Sequence, residues 1–104
     1  MREKDVERYL YREAKRRGAM PMKFVSPGLN GVPDRCILFQ GGIIVFVEVK
    51  APGEKPRKQQ RYRISQMRDR GALVRVVDTK AGVDRLMEEV EVLRENQIKG
   101  GDAL

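Results

Sequence analysis

Histidine is absent from this chain of 104 residues, and its absence removes several kinds of chemistry at once. No Ser-His or Cys-His nucleophile can be assembled, no histidine-ligated zinc site can form, and no imidazole can serve as a general base. A catalytic metal would have to be held by oxygen ligands, which suits magnesium or manganese. Cysteine is almost absent. The single Cys36 cannot form an internal disulfide, so a reducing cytosolic setting is expected. Lying in an expected strand, with no histidine to partner it, Cys36 reads as a buried structural thiol rather than a nucleophile. No apolar run approaches the roughly 18 residues of a membrane span, and no secretory signal is visible. Internal repeats and low-complexity segments are also missing, and the length fits one domain with a modest core.

What is present is positive charge and a small set of misplaced acids. The formal net charge of +7 points to a polyanionic partner, although basic composition carries little weight by itself. The segment Ile43-Ile44-Val45-Phe46-Val47-Glu48-Val49-Lys50 is apolar until its end, where a carboxylate and an ammonium appear. Side chains alternate faces along a strand, so Glu48 and Lys50 point one way while Val47 and Val49 point the other. Burying charge is unfavourable unless it is paired or binds a metal, so this placement marks a site. Asp34, in Gly31-Val32-Pro33-Asp34-Arg35, is the second acid that belongs with it.

Periodicity predicts a helix over 3–17 with Val6, Tyr9, Leu10 and Ala14 on one stripe, ended by Gly18. A short strand is expected at 22–25, a loop at 26–31, and two antiparallel strands at 33–39 and 43–50. A second helix follows over 57–70, with Gln60, Ile64 and Met67 on its inward face. The strand 73–77 and a helix over about 80–95 complete the order α-β-β-β-α-β-α, an α/β or α+β sandwich around one sheet. A single domain over 1–96 is expected, with 97–104 as a flexible tail.

The hairpin imposes a geometric demand. A two-residue Gly41-Gly42 loop would pair Asp34 with Val49 and turn it away from Glu48. A three-residue loop, Gln40 to Gly42, pairs Asp34 with Glu48 and puts both acids and Lys50 on one face. An odd-length loop or a bulge is therefore predicted.

Two carboxylates on adjacent strands can hold a divalent cation, which activates water and stabilises charge on a phosphate. Glu7, at the edge of the first helix's buried stripe, can add a third carboxylate. Lys50 can steady a phosphorane or orient the water, and Gln60 can bond the water or the scissile phosphate. Blander readings exist for each: a turn aspartate, a same-face ion pair, solvated helical acids. Most helical charge here also reads as a solvated face. The exception is Lys55 to Arg63, where Lys55, Arg57, Lys58, Arg61 and Arg63 occur with no acid between them. Those five are candidates for phosphate contacts.

Pro33-Asp34 followed on the next strand by Glu48-Val49-Lys50 resembles the PD-(D/E)xK nuclease superfamily. With Glu7, Gly31-Val32-Pro33-Asp34-Arg35, Glu48-Val49-Lys50-Ala51-Pro52-Gly53 and Gln60, the fuller pattern is similar to the compact stand-alone VRR-NUC (virus-type replication-repair nuclease) domain of phages and bacteria. The resemblance spans roughly residues 3–90. It implies a restriction-endonuclease-like, Holliday-junction-resolvase-like fold with a central mixed sheet flanked by helices. It further implies a Mg2+- or Mn2+-dependent endonuclease acting on branched DNA, working as a homodimer in a bacterial or phage-infected cytoplasm. By motif position Asp34, Glu48, Glu7 and the Val49 carbonyl would ligate metal, Lys50 would be the catalytic lysine and Gln60 its support. Glu3 can replace Glu7 and Gln59 can replace Gln60 in that alignment. The competing expectation is a non-catalytic or complex-dependent DNA-binding subunit.

Overall fold

Apolar residues at i, i+4 and i+8 in Val6, Leu10 and Ala14 give the first helix one face to bury, and all three are fully buried. A computed structural model describes residues 1–101, with side-chain surroundings through residue 98. It contains α1 (Glu3–Arg16), β1 (Met20–Lys23), β2 (Arg35–Phe39), β3 (Ile43–Val49), α2 (Lys58–Asp69), β4 (Leu73–Val77) and α3 (Lys80–Gly101). The Arg2 N–H donates to Asp5 Oδ2 at 2.8 Å, satisfying one free end of α1, and Glu3 and Asp5 complement its dipole. Gly18, at φ 73°, ends the helix in the left-handed conformation that disfavours other residues.

The four strands form one mixed sheet in the order β1-β2-β3-β4, antiparallel except for the parallel β3–β4 pair. The α2 crossover supplies the connection that a parallel pair needs. One sheet face carries Ile37, Phe39, Val45, Val47, Val49 and Val77, and packs with Val6, Leu10, Ala14, Val83, Leu86, Met87 and Val90 as the main core. The other face carries Cys36, Phe46, Glu48 and Val74, and α2 covers it with Ile64. Cys36 is a free, buried thiol, as its surroundings in sequence suggested. Replacing Leu10 by Ala should lower unfolding free energy by about 2–5 kcal/mol, because the emptied core space is not refilled. Urea titration followed by circular dichroism measures this; a loss below about 1 kcal/mol would mean that α1 does not seal this core.

Several boundaries differ from the sequence expectation. β1 begins two residues before the expected 22–25 and takes in Pro21, which an edge strand tolerates. Its register Met22↔Cys36 is extended by the Phe24 N–H donating to the Asp34 carbonyl at 2.9 Å. α3 does not stop near residue 95: it reaches Gly101, so residues 97–101, expected in a tail, are helical. The apolar stripe gives no signal past Leu93, and a tertiary contact takes over, Gln97 Nε2 donating to the Gly41 carbonyl at 2.8 Å. Residues 102–104, the rest of the expected tail, lie outside the described residues.

Candidate active site

The β2–β3 turn sets everything that follows. Phe39 pairs with Ile43 across a three-residue Gln40-Gly41-Gly42 loop, and the ladder runs on to Arg35↔Val47. Gly41 and Gly42 both hold positive φ, at 89° and 76°, which two successive side-chain-bearing residues would adopt only under strain. Continued by one step, this register would set Asp34, in the bend just before β2, opposite Glu48. The predicted odd-length loop is therefore present, and strict Asp34–Val49 pairing is not. β3 is also an interior strand, flanked by β2 and β4, so the Glu48–Lys50 pair is not an edge-strand ion pair.

Glu48 is 7% exposed, and the Lys50 ammonium lies 3.6 Å from its Oε2. The Lys50 backbone is fixed in turn, its N–H donating to the Val77 carbonyl at 2.9 Å. Gln60 Nε2 donates to the same Glu48 oxygen at 3.4 Å, while Gln60 Oε1 accepts the Arg57 N–H at 2.8 Å. Gln60 thus caps the first turn of α2 with one end of its amide and faces the acid with the other. Both contacts fall on Oε2, leaving Oε1 for an outside partner. Burial pushes the Glu48 carboxyl above its ordinary 4.5; Lys50 pulls it back, and the negative charges of Asp34 and Glu3 add to the rise. A buried carboxylate held at such a disadvantage suits coordination of a cation, and Asp34, whose charge reaches Glu48, would make the donor set all oxygen. Asp34 itself is well exposed, at 68% of its side chain, and within reach of solvent ligands.

The loop before Asp34 is clamped onto α2. Arg63 Nε donates to the Asn30 carbonyl at 2.8 Å, and Gly31 packs directly on the backbone of Gln59. A Cβ at Gly31 would stand 2.7 Å from the Gln59 carbonyl oxygen, and its φ of 82° already disfavours any side chain. Gly31→Ala should therefore destabilise the fold by about 1–2 kcal/mol from backbone handedness alone. It should also reduce activity by shifting Asp34. Denaturation midpoints and cleavage rates check both; a neutral variant would mean that the loop is not held against α2. After Lys50, the Gly53 N–H donates to Asp78 Oδ2 at 3.0 Å and ties down the connection to α2.

The structure joins Glu7 to Asp34 through a shared guanidinium, that of Arg35, rather than gathering it directly with Glu48. α1 packs on the sheet face opposite to Glu48, and Glu7 Oε1 accepts from Arg35 Nη2 at 3.2 Å. Arg35 faces α1 because it is one position out of phase with Asp34, and its Nη1 also lies 3.2 Å from Asp34 Oδ2. Among the described residues no three acidic or cysteine side chains gather at metal-binding distances. Of the two candidates on α1, it is Glu3, one turn earlier and near the helix start, whose charge reaches Glu48. Periodicity chose Glu7 because it borders the apolar stripe. Which end of the sheet that stripe meets was not legible.

The basic segment divides. Lys55, Arg57, Lys58 and Arg61 are exposed, and Arg61 Nη1 bonds the Pro56 carbonyl at 2.6 Å. Arg63 is half-buried and occupied by Asn30 and by Gln66 Oε1 at 2.6 Å, so its role is to hold the loop. Gln59 supplies backbone against Gly31, whereas Gln60 supplies the side chain at Glu48.

No family model matches the sequence. A curated protein of Acyrthosiphon pisum secondary endosymbiont phage 1, named "Putative nuclease p44", is 42% identical over 80 residues, covering 77% of this chain and 86% of that protein. A solved structure described as a VRR_NUC domain superposes with a TM-score of 0.77 at 33% identity, covering 83% of this chain and 94% of that one. No helix among the described residues is long and apolar enough to cross a membrane.

Proposed function

The chain belongs to the VRR-NUC family of nucleases, and on that premise we propose that it hydrolyses phosphodiester bonds in branched, Holliday-junction-like DNA with the help of magnesium or manganese. The observation that carries this reading is the buried Glu48 with Lys50 at 3.6 Å, on a hairpin whose three-residue turn gives the register that, continued one step, faces Asp34. Asp34 and Glu48 would hold the cation, joined by the Val49 carbonyl, and Glu7 or Glu3 of α1 would supply a third carboxylate. A bound divalent cation supplies an activated water and stabilises negative charge on the phosphate.

The chain's own groups do the rest. Lys50, anchored at its backbone and nearly buried, presents an ammonium where the phosphorane's charge develops. Gln60 is held at its Oε1, so its Nε2 keeps a fixed aim and can orient water or the scissile phosphate. Lys55, Arg57, Lys58 and Arg61 would contact backbone phosphates beside the site without reading sequence. A homodimer would offer two such sites to two strands.

Purified protein is to be incubated with a labelled four-way junction and with linear duplex of the same sequence, while Mg2+ and Mn2+ are titrated against an EDTA control. Metal-dependent cutting, faster on the junction, is the expected result. Equal rates on both substrates would remove the junction preference. No cleavage under any divalent metal would leave a DNA-binding subunit in place of an enzyme.

A further inference from the structure

On the outer side of α1 lies an open groove of about 710 Å3, away from the Glu48 face of the sheet. Lys4, Arg8, Arg12 and Lys15 follow one another along it at helical spacing, and Arg35 closes its floor from β2. At a rise of about 1.5 Å per residue the four cations extend over ~16 Å, the reach of several successive phosphates. Glu7 is the one acid lining the groove, and Arg35 neutralises it at 3.2 Å. Among the described residues Lys4, Arg8 and Lys15 form no ion pair, and Arg12 makes a single long one to Glu13 at 3.9 Å.

Two further observations distinguish this groove from an ordinary solvated helix face. Tyr11 and Arg35 both line it, and the Tyr11 Oη and Arg35 Nε atoms beneath its surface are buried with no hydrogen-bond partner. Buried donors in native proteins are almost always satisfied, so a pair of orphans in a cationic groove calls for an acceptor from outside. The groove is also coupled to the acid site: the guanidinium that meets Glu7 meets Asp34 Oδ2 at 3.2 Å with its other arm.

We propose that the α1 groove is a second nucleic-acid backbone site. Lys4, Arg8, Arg12 and Lys15 track the phosphates, and a side-chain shift at the groove floor lets Tyr11 Oη and Arg35 Nε donate to one of them next to Asp34. The inference rests on the nuclease reading and deepens it, because a strand held on both sides of Asp34 is one that departs from a single straight duplex. Arg35 becomes a positioning residue that senses the bound phosphate and orients the carboxylate.

The test is fluorescence anisotropy of labelled junction DNA in EDTA across a salt series, comparing wild type with the exposed double variant R8Q/R12Q. Loss of two phosphate contacts should weaken binding and flatten the plot of log Kd against log salt by about 1.8, at ~0.9 per contact. Tyr11→Phe should weaken binding several-fold without lowering Tm, since it removes a hydroxyl that has no partner in the protein. An unchanged slope and Kd in R8Q/R12Q, while wild type binds and cuts, overturns the α1 site and leaves the nuclease reading standing. A wild type that neither binds nor cuts DNA overturns both.

Discussion

Asp34→Ala should suppress cleavage by at least roughly 10²–10³-fold, the range expected when one pre-organised charge-stabilising group is removed. The fold should barely notice. The Asp34 side chain is 68% exposed, and its ion pair with Arg35 at 3.2 Å is the kind of surface contact that contributes about 0–1 kcal/mol. Tm should accordingly move by no more than about 4–8 °C. Asp34→Asn is the sharper variant, because it keeps the size and removes only the charge. Rates from single-turnover cleavage, beside thermal melts of the same preparations, separate the two effects. Retained cleavage in Asp34→Asn would remove Asp34 from the proposed metal site.

Lys50→Met should reduce cleavage by a similar factor of about 10²–10³. Unlike Asp34→Ala, it should also change stability, and in a pH-dependent way. The Glu48 carboxyl already sits above its ordinary 4.5, chiefly through burial, with Lys50 opposing the rise. Without the ammonium, 3.6 Å away in the wild type, the carboxyl rises further. An acid whose folded pKa is raised binds its proton more tightly folded than unfolded. Its contribution to stability is fully present below the unfolded value and is lost as pH rises through the folded one. The deficit of Lys50→Met relative to wild type should therefore be small near pH 4.5 and grow toward pH 8. There it should reach about 1–3 kcal/mol, the penalty of leaving a buried polar group unpaired. Urea denaturation in EDTA at several pH values checks it. A deficit independent of pH would mean that Lys50 supports the fold by packing rather than by balancing Glu48.

The strands that carry the site were legible because alternation and register are local properties. Val47 and Val49 against Glu48 and Lys50 fixed the face, and the demand that both acids share it selected the three-residue turn over the two-residue one that the glycines at 41 and 42 alone would suggest. Gln60 was found from helical phase with Ile64, since a residue on an inward face must meet something. Phase alone did not place Glu7 relative to the other acids. It showed that Glu7 edges a buried stripe, but not that the stripe lies on the opposite face from Glu48, nor that Arg35 waits there. Arg35 could have been found from the same alternation: one residue past Asp34, it must point to the other side. The cations of α1 passed as a solvated face because each alone is ordinary. Only the unpartnered Tyr11 hydroxyl and Arg35 Nε, which no sequence displays, set that face apart. The last turn of α3 was missed for a similar reason, its anchor being a contact with Gly41 across the molecule.

The three-residue turn also bears on the order in which the protein acquires its chemistry. A hairpin closed over so few residues can form on the microsecond scale, well before the β3–β4 pairing that must wait for α2 to cross over. The two acids are thus neighbours early, in water, where their repulsion is weak. Their repulsion grows only when α2 arrives to exclude solvent, and the same step delivers Gln60 beside Glu48 and fixes the Lys50 backbone on β4. Assembly of the site and desolvation of its charges are a single late event, and amide protection in the β2–β3 hairpin should precede that of α2 and β4.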